Sequence, residues 1–118
     1  MTEKSSCILY GIKNCDSVKK ARQWLDKHNV EYQFHDFRVD GLTSEQLQIF
    51  IERAGWESVL NKRSTSWRQV DEAQKIDLNA EKAAVLMLAN LTLIKRPVLV
   101  AGEQLFIGFN AENYQTLL

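Results

Sequence analysis

The chain opens its first apolar run at Cys7-Ile8-Leu9-Tyr10, carries it on through Gly11-Ile12, and turns polar at Lys13-Asn14. A run of that length ending on a polar pair predicts a strand. From about Cys15 to His28 the period changes. Val18, Ala21, Leu25 and His28 fall at helical spacing, with Trp24 widening the stripe, which predicts an amphipathic helix. Val30, Tyr32 and Phe34 then alternate with polar residues, so Val30 to Phe37 predicts a second strand. Strand, helix and strand make a βαβ unit with a right-handed crossover.

Asp40-Gly41 reads as a turn. The next helix has a legible start: Thr43 and Gln46 form a capping box, and Leu42 and Leu47 are spaced as a hydrophobic staple. Leu47, Phe50, Ile51 and Ala54 are its buried face, and Gly55 stops it. Asn61-Lys62-Arg63-Ser64-Thr65-Ser66-Trp67-Arg68 has no period and predicts a loop. A third main helix is expected over about Ala80 to Leu91, capped by Asn79 and facing the core with Ala83, Ala84, Met87 and Leu91. Pro97 lacks an N–H donor and suits the entry to a strand. Val98-Leu99-Val100 and Gln104-Leu105-Phe106-Ile107-Gly108 flank a tight turn, Ala101-Gly102-Glu103, and predict a hairpin. Asn110 caps a last helix running to Leu118. The predicted class is α/β in a single domain over residues 1–118: βαβ, a helical segment at about 42–94, then ββα.

Composition narrows the function. The chain carries 15 basic and 15 acidic side chains. It therefore has no global positive footprint for nucleic acid, and no nucleic-acid partner is expected. It lacks an apolar run long enough for a membrane span, and Met1-Thr2-Glu3-Lys4-Ser5-Ser6 lacks the apolar stretch of a signal peptide. Two cysteines are too few for a disulfide scaffold, which points to a reducing cytoplasm. His28 and His35 stand apart without a ligand cluster, so no metal is assigned.

Cys15 is the candidate nucleophile. It lies where the first strand gives way to a helix, facing unpaired N–H groups and the positive end of the macrodipole. Both favour the thiolate, which is the reactive form. Lys13, Lys19, Lys20 and Arg22 are expected to add positive charge nearby. The alternative is a cap-region residue chosen for size. Cys7 is separated from Cys15 by a span that is mostly extended, too far for a bridge, and reads as a buried small residue. Val18 occupies the place of the second cysteine in a Cys-x-x-Cys motif. A redox role for Cys15 thus needs a second thiol from another molecule.

Three segments together resemble the arsenate-reductase-like (ArsC/Spx) family of thioredoxin-fold proteins. They are Tyr10-Gly11-Ile12-Lys13-Asn14-Cys15-Asp16-Ser17-Val18-Lys19-Lys20-Ala21, Asn61-Lys62-Arg63-Ser64-Thr65-Ser66-Trp67-Arg68 and Leu93-Ile94-Lys95-Arg96-Pro97-Val98-Leu99. The first is especially similar to a bacterial subgroup proposed to be glutathione-dependent thiol reductases. The resemblance implies a thioredoxin-like fold with a four-stranded mixed sheet and a helical insertion between strands 2 and 3. It implies Cys15 as the catalytic cysteine, Arg63 and Arg96 as two oxyanion-binding arginines converging on it, and Pro97 as a cis proline. Where arsenate reductases carry a third arginine, after the glycine that ends strand 4, this chain has Gly108-Phe109. That departure weakens arsenate reduction proper.

Asn14 and Ser17 are further candidates for hydrogen bonding at the thiol, although local capping explains them equally well. Apart from the resemblance, Arg63 and Arg96 read as solvated charges. The expected activity is that of a monothiol oxidoreductase. Cys15 attacks a disulfide or oxyanion, and glutathione or a glutaredoxin resolves the mixed disulfide. Glutathione is expected as a co-substrate with no bound cofactor, and the protein is expected to be a monomer. The alternatives implied by the resemblance are an arsenate reductase and a non-enzymatic Spx-like regulator that binds RNA polymerase.

Overall fold

A computed structural model describes residues 7–118; the polar N-terminal stretch 1–6 lies outside them. In chain order, β1 (Cys7–Gly11), α1 (Asp16–Lys27), β2 (Gln33–Asp36) and α2 (Phe37–Asp40) come first. Then follow α3 (Ser44–Ala54), α4 (Trp56–Val59), α5 (Thr65–Arg68) and α6 (Ala80–Ala89), with β3 (Val98–Ala101), β4 (Gln104–Ile107) and α7 (Ala111–Tyr114) at the end. Short 3-10 turns cover Glu72–Lys75, Leu91–Leu93 and Gln115–Leu117. The chain divides into two compact units: residues through Gly41 together with Arg96–Leu118, and Leu42–Lys95. The second contains α3 to α6 and spans nearly the residues, about 42–94, at which a helical segment is expected.

The first unit is a thioredoxin-like α/β arrangement around a four-stranded mixed sheet of order β2-β1-β3-β4. β1 runs parallel to β2, which needs the crossover that α1 supplies. β3 runs antiparallel to β1 and to β4, with Leu9 opposite Leu99 and Leu99 opposite Phe106. Because side chains alternate across a strand, Cys7, Leu9 and Leu99 share one face. Val18, Ala21 and Leu25 of α1 and Tyr114 of α7 complete the buried cluster there. These are three of the four positions read from the helical spacing; the fourth, His28, is the half-buried C-cap of α1.

β2 is shorter than expected at both ends. The Val30 N–H donates to the Leu25 carbonyl at 2.9 Å, so Val30 belongs to the helix exit and not to the strand. At the other end the Asp36 side chain accepts from the Arg38 N–H at 2.8 Å and caps α2, which takes Phe37 out of the strand. Asp40 ends α2, and Gly41 follows at φ 68°.

In the second unit the expected capping box of α3 is complete. Thr43 Oγ1 accepts from the Gln46 N–H at 3.1 Å, and Gln46 Oε1 accepts from the Thr43 N–H at 2.9 Å. Gly55 stops α3 at φ 86°, a conformation that favours glycine. Two expectations change. The segment expected as a loop at 61–68 contains the one-turn helix α5, because the Ser64 hydroxyl caps it at the Trp67 N–H. The third main helix ends at Ala89 because the Asn90 carboxamide starts a new turn by accepting from the Thr92 N–H. Leu60 bridges Ile94, and the Lys95 N–H donates to the Val59 carbonyl at 2.9 Å, tying the exit of this unit to the end of α4. No helix among the described residues is long and apolar enough to cross a membrane.

Candidate active site

The site is built where β1 leaves the sheet. Gly11 is the last strand residue, and a Cβ placed on it would stand 2.6 Å from Val18 Cγ2. Only glycine lets the first turn of α1 fold back this closely onto the strand. The Cys15 N–H donates to the Ile12 carbonyl at 3.2 Å, closing a turn over Lys13-Asn14. Cys15 is the N-cap of α1, with extended backbone (φ −98°, ψ 128°), and its carbonyl accepts from the Lys19 N–H at 2.9 Å. Its side chain makes no capping hydrogen bond. The thiol is free and half-buried against the core cluster, whereas Cys7, also free, is buried within it.

Sheet register brings further residues to the same end of the first unit. Tyr10 pairs with Val98, and Val98 with Ile107. The segment entering β3, Arg96-Pro97, and the segment leaving β4, Gly108-Phe109, therefore both lie at the end where β1 delivers the thiol turn. The Arg96–Pro97 bond is cis, as the family resemblance implies. The Gly108 N–H donates to the Pro97 carbonyl at 2.8 Å. Nε and Nη1 of Arg96 are buried and have no hydrogen-bond partner among the described residues. Burying charged donors without an acceptor is costly, and a carboxylate or oxyanion is the acceptor that a guanidinium fits best.

Not every expected residue joins this group in the same way. Asn14 and Ser17 flank the thiol and are exposed, and neither caps α1. Arg63 belongs to the helical unit, where its N–H donates to Asn61 Oδ1 at 3.0 Å and its side chain is exposed. Arg22 is engaged elsewhere: its Nε donates to the Tyr32 hydroxyl at 3.2 Å, and its guanidinium lies 4.3 Å from the Phe34 ring centroid. It belongs to the α1–β2 contact and not to the charge around the thiol. Phe109 turns inward, edge-on to Tyr114 with ring centroids 5.0 Å apart. Val18 is fully buried in the core, so a valine there is a packing choice that also removes the second thiol. One residue was missed in the sequence: Asp36 Oδ2 accepts from the Lys13 N–H at 3.3 Å. Its only sequence signal is an acid at a strand-to-helix boundary. Among the described residues no group of three or more His, Cys, Asp or Glu side chains is placed to hold a metal ion.

Comparisons with known proteins agree with this geometry. The chain is 48% identical over 107 residues to an uncharacterised protein of Haemophilus influenzae, covering 91% of this chain and 94% of that one. It is 25% identical over 113 residues to the global transcriptional regulator Spx of Lactiplantibacillus plantarum, covering 94% of this chain and 85% of the regulator. The solution structure of an arsenate reductase (ArsC) related protein from Brucella melitensis superimposes with a TM-score of 0.75 at 40% identity, covering 98% of this chain and 97% of that one. The sequence model of the ArsC family matches residues 10–117, so the thiol turn and the segment entering β3 both fall inside the match, and the chain belongs to the ArsC family.

Proposed function

We propose that this protein is a monothiol oxidoreductase that exchanges disulfides with glutathione through Cys15. The Cys15 sulfur attacks one sulfur of a disulfide R–S–S–R′. A Cys15–S–S–R bond forms, the R–S–S–R′ bond breaks, and R′–S⁻ leaves with the electron pair and takes a proton from water. A glutathione thiolate then attacks the R sulfur of the mixed disulfide, forming R–S–S–glutathione and releasing the Cys15 thiolate; a second glutathione thiolate attacks the glutathione sulfur of that product, releasing R–S⁻, which takes a proton, and forming glutathione disulfide. The pairing of two features supports this reading above any other: a free cysteine at an uncapped helix N-terminus, and, at the same end of the sheet, a buried guanidinium without an acceptor. The first stabilises charge on sulfur. The second suits a glutathione carboxylate. Resolution by an external thiol follows from Val18 and from the burial of Cys7. The inward packing of Phe109 argues for a disulfide over arsenate, since a third cationic contact is lacking at that position.

The test is consumption of a small symmetric disulfide coupled to glutathione oxidation. Turnover that disappears in Cys15→Ser supports the reading. Equal turnover in Cys15→Ser and the parent, or none in either, contradicts it.

A further inference from the structure

Asp36 has no part in the exchange just described, yet it holds the turn that presents the thiol. In the parallel β1–β2 ladder Gly11 pairs with Asp36, so the carboxylate stands at the point where both strands end. Oδ2 accepts from the Lys13 N–H at 3.3 Å, and Oδ1 accepts from the Arg38 N–H at 2.8 Å. The Asp36 N–H donates to Asp40 Oδ2 at 3.1 Å, which fixes the acid's own backbone. Lys13 opens the turn that the Cys15 N–H closes on Ile12. We infer that Asp36 is a positioning residue for Cys15: its carboxylate replaces the next ladder acceptor that β2 would have supplied and clamps the thiol turn through the Lys13 N–H.

Both oxygens are used, each on a different donor. An asparagine offers one acceptor oxygen, and its NH2 would face the other donor. Asp36→Asn therefore breaks the clamp while removing a negative charge beside the turn that carries the thiol. Electrostatics alone would make that variant attack faster; loss of positioning makes it slower toward a substrate that must be aligned.

This inference rests on the exchange reading above for its consequence but not for the bond itself, so the experiment reads both. We would compare the rate of Cys15 adduct formation with oxidised glutathione, the rate of Cys15 alkylation by iodoacetamide, and amide exchange at Lys13. In Asp36→Asn the Lys13 amide should lose protection and the glutathione rate should fall about tenfold. Alkylation by the small neutral reagent, which needs little alignment, should change less than about twofold. Lys13→Pro removes the donated N–H, so its glutathione rate should fall below that of Lys13→Ala, which controls for the lost side chain. Asp36→Asn should have no further effect in the Lys13→Pro background. If Asp36→Asn does not fold, a glutathione rate lowered in Lys13→Pro relative to Lys13→Ala, and lowered no further in Lys13→Pro/Asp36→Ala, carries the same expectation. Unchanged Lys13 protection, an unchanged glutathione rate in Asp36→Asn, or a full effect persisting in the proline background would overturn the inference. Lost Lys13 protection with no glutathione adduct even in the parent would leave the clamp standing and defeat the exchange reading instead.

Discussion

Helices α1 and α3 are almost equal in length, 12 and 11 residues, and begin in opposite ways. At α3 the first-turn donors are met by a reciprocal pair, Thr43 with Gln46. The third long helix, α6, is likewise capped, with Asn79 Oδ1 accepting from the Lys82 N–H at 2.8 Å. At α1 the N-cap is Cys15, and its side chain accepts nothing. Sulfur is a weak acceptor, so a serine or aspartate there would stabilise the helix start. The difference teaches where stability has been given up. α3 and α6 spend their free amides on themselves. α1 has no side-chain cap from Cys15, which in the proposed exchange leaves its amides open to charge that arrives during the reaction.

The largest expected effect concerns the buried guanidinium at the same end of the sheet. Arg96→Ala should lower the rate of Cys15 adduct formation with oxidised glutathione by about 10- to 100-fold, the worth of one charge-assisted contact. Single-turnover kinetics would show it, and an unchanged rate would take Arg96 out of the site. Arg63→Ala, read the same way, checks the assignment that rests on the family resemblance.

Next in size is the packing beneath the thiol turn. Gly11→Ala places a methyl 2.6 Å from Val18 Cγ2, inside a core where Val18 has no exposed surface. Overpacking of this kind costs about 1–3 kcal/mol. Urea denaturation should show that loss, and Gly11→Ala/Val18→Ala should recover part of the overpacking term. Losses of Gly11→Ala and Val18→Ala that simply add in the double variant would mean that the close approach is not what requires glycine.

A pair of cap substitutions sharpens the comparison directly. Thr43→Ala should cost about 1 kcal/mol and leave glutathione exchange intact. Cys15→Asp should instead stabilise by about 0.5–1 kcal/mol, through a new cap and a favourable charge at the helix N-terminus, while abolishing exchange. Paired denaturant curves decide it. Destabilisation by Cys15→Asp would break the contrast drawn between the two helices.

The smallest effect is expected at Tyr114. Its ring is fully buried, and its hydroxyl has no partner among the described residues. Burial pushes that hydroxyl well above the usual tyrosine range. The folded protein keeps a proton that the unfolded chain loses near pH 10. Stability is therefore full below about pH 10 and falls as pH rises past it. Tyr114→Phe should be neutral to slightly stabilising at pH 7, within about 1 kcal/mol, and should flatten the alkaline decline in melting temperature.

Much of the fold was legible because local signals agreed with each other. The Val18, Ala21, Leu25 stripe, the Thr43/Gln46 box and the Gly102-centred hairpin each needed only neighbours in sequence. What escaped were side chains that cap or anchor. Asp36 ends β2 early, Ser64 makes a helical turn of an aperiodic segment, and Asn90 splits an apolar run, all through hydrogen bonds to backbone N–H groups. Hydrophobic period does not register such bonds. At the site, Cys15 was visible from its place between strand and helix. Arg96 and Pro97 drew their meaning from the family resemblance, and the sheet register then placed them at the thiol end. Arg22 went the other way: its charge is plain in the sequence, but Tyr32 and Phe34 claim it. The Asp36–Lys13 bond joins residues 23 positions apart, and only strand pairing brings them together.

The central claim is that Cys15, at an uncapped helix start, is a thiol kept free for exchange, and that Cys7 is not. Peptide-resolved mass spectrometry of the native protein after brief exposure to oxidised glutathione tests it most directly. The account expects one glutathionyl group, on Cys15, with Cys7 modified only after unfolding. Modification of Cys7 at a comparable rate, or a Cys15 that stays free at saturating glutathione disulfide, would contradict it.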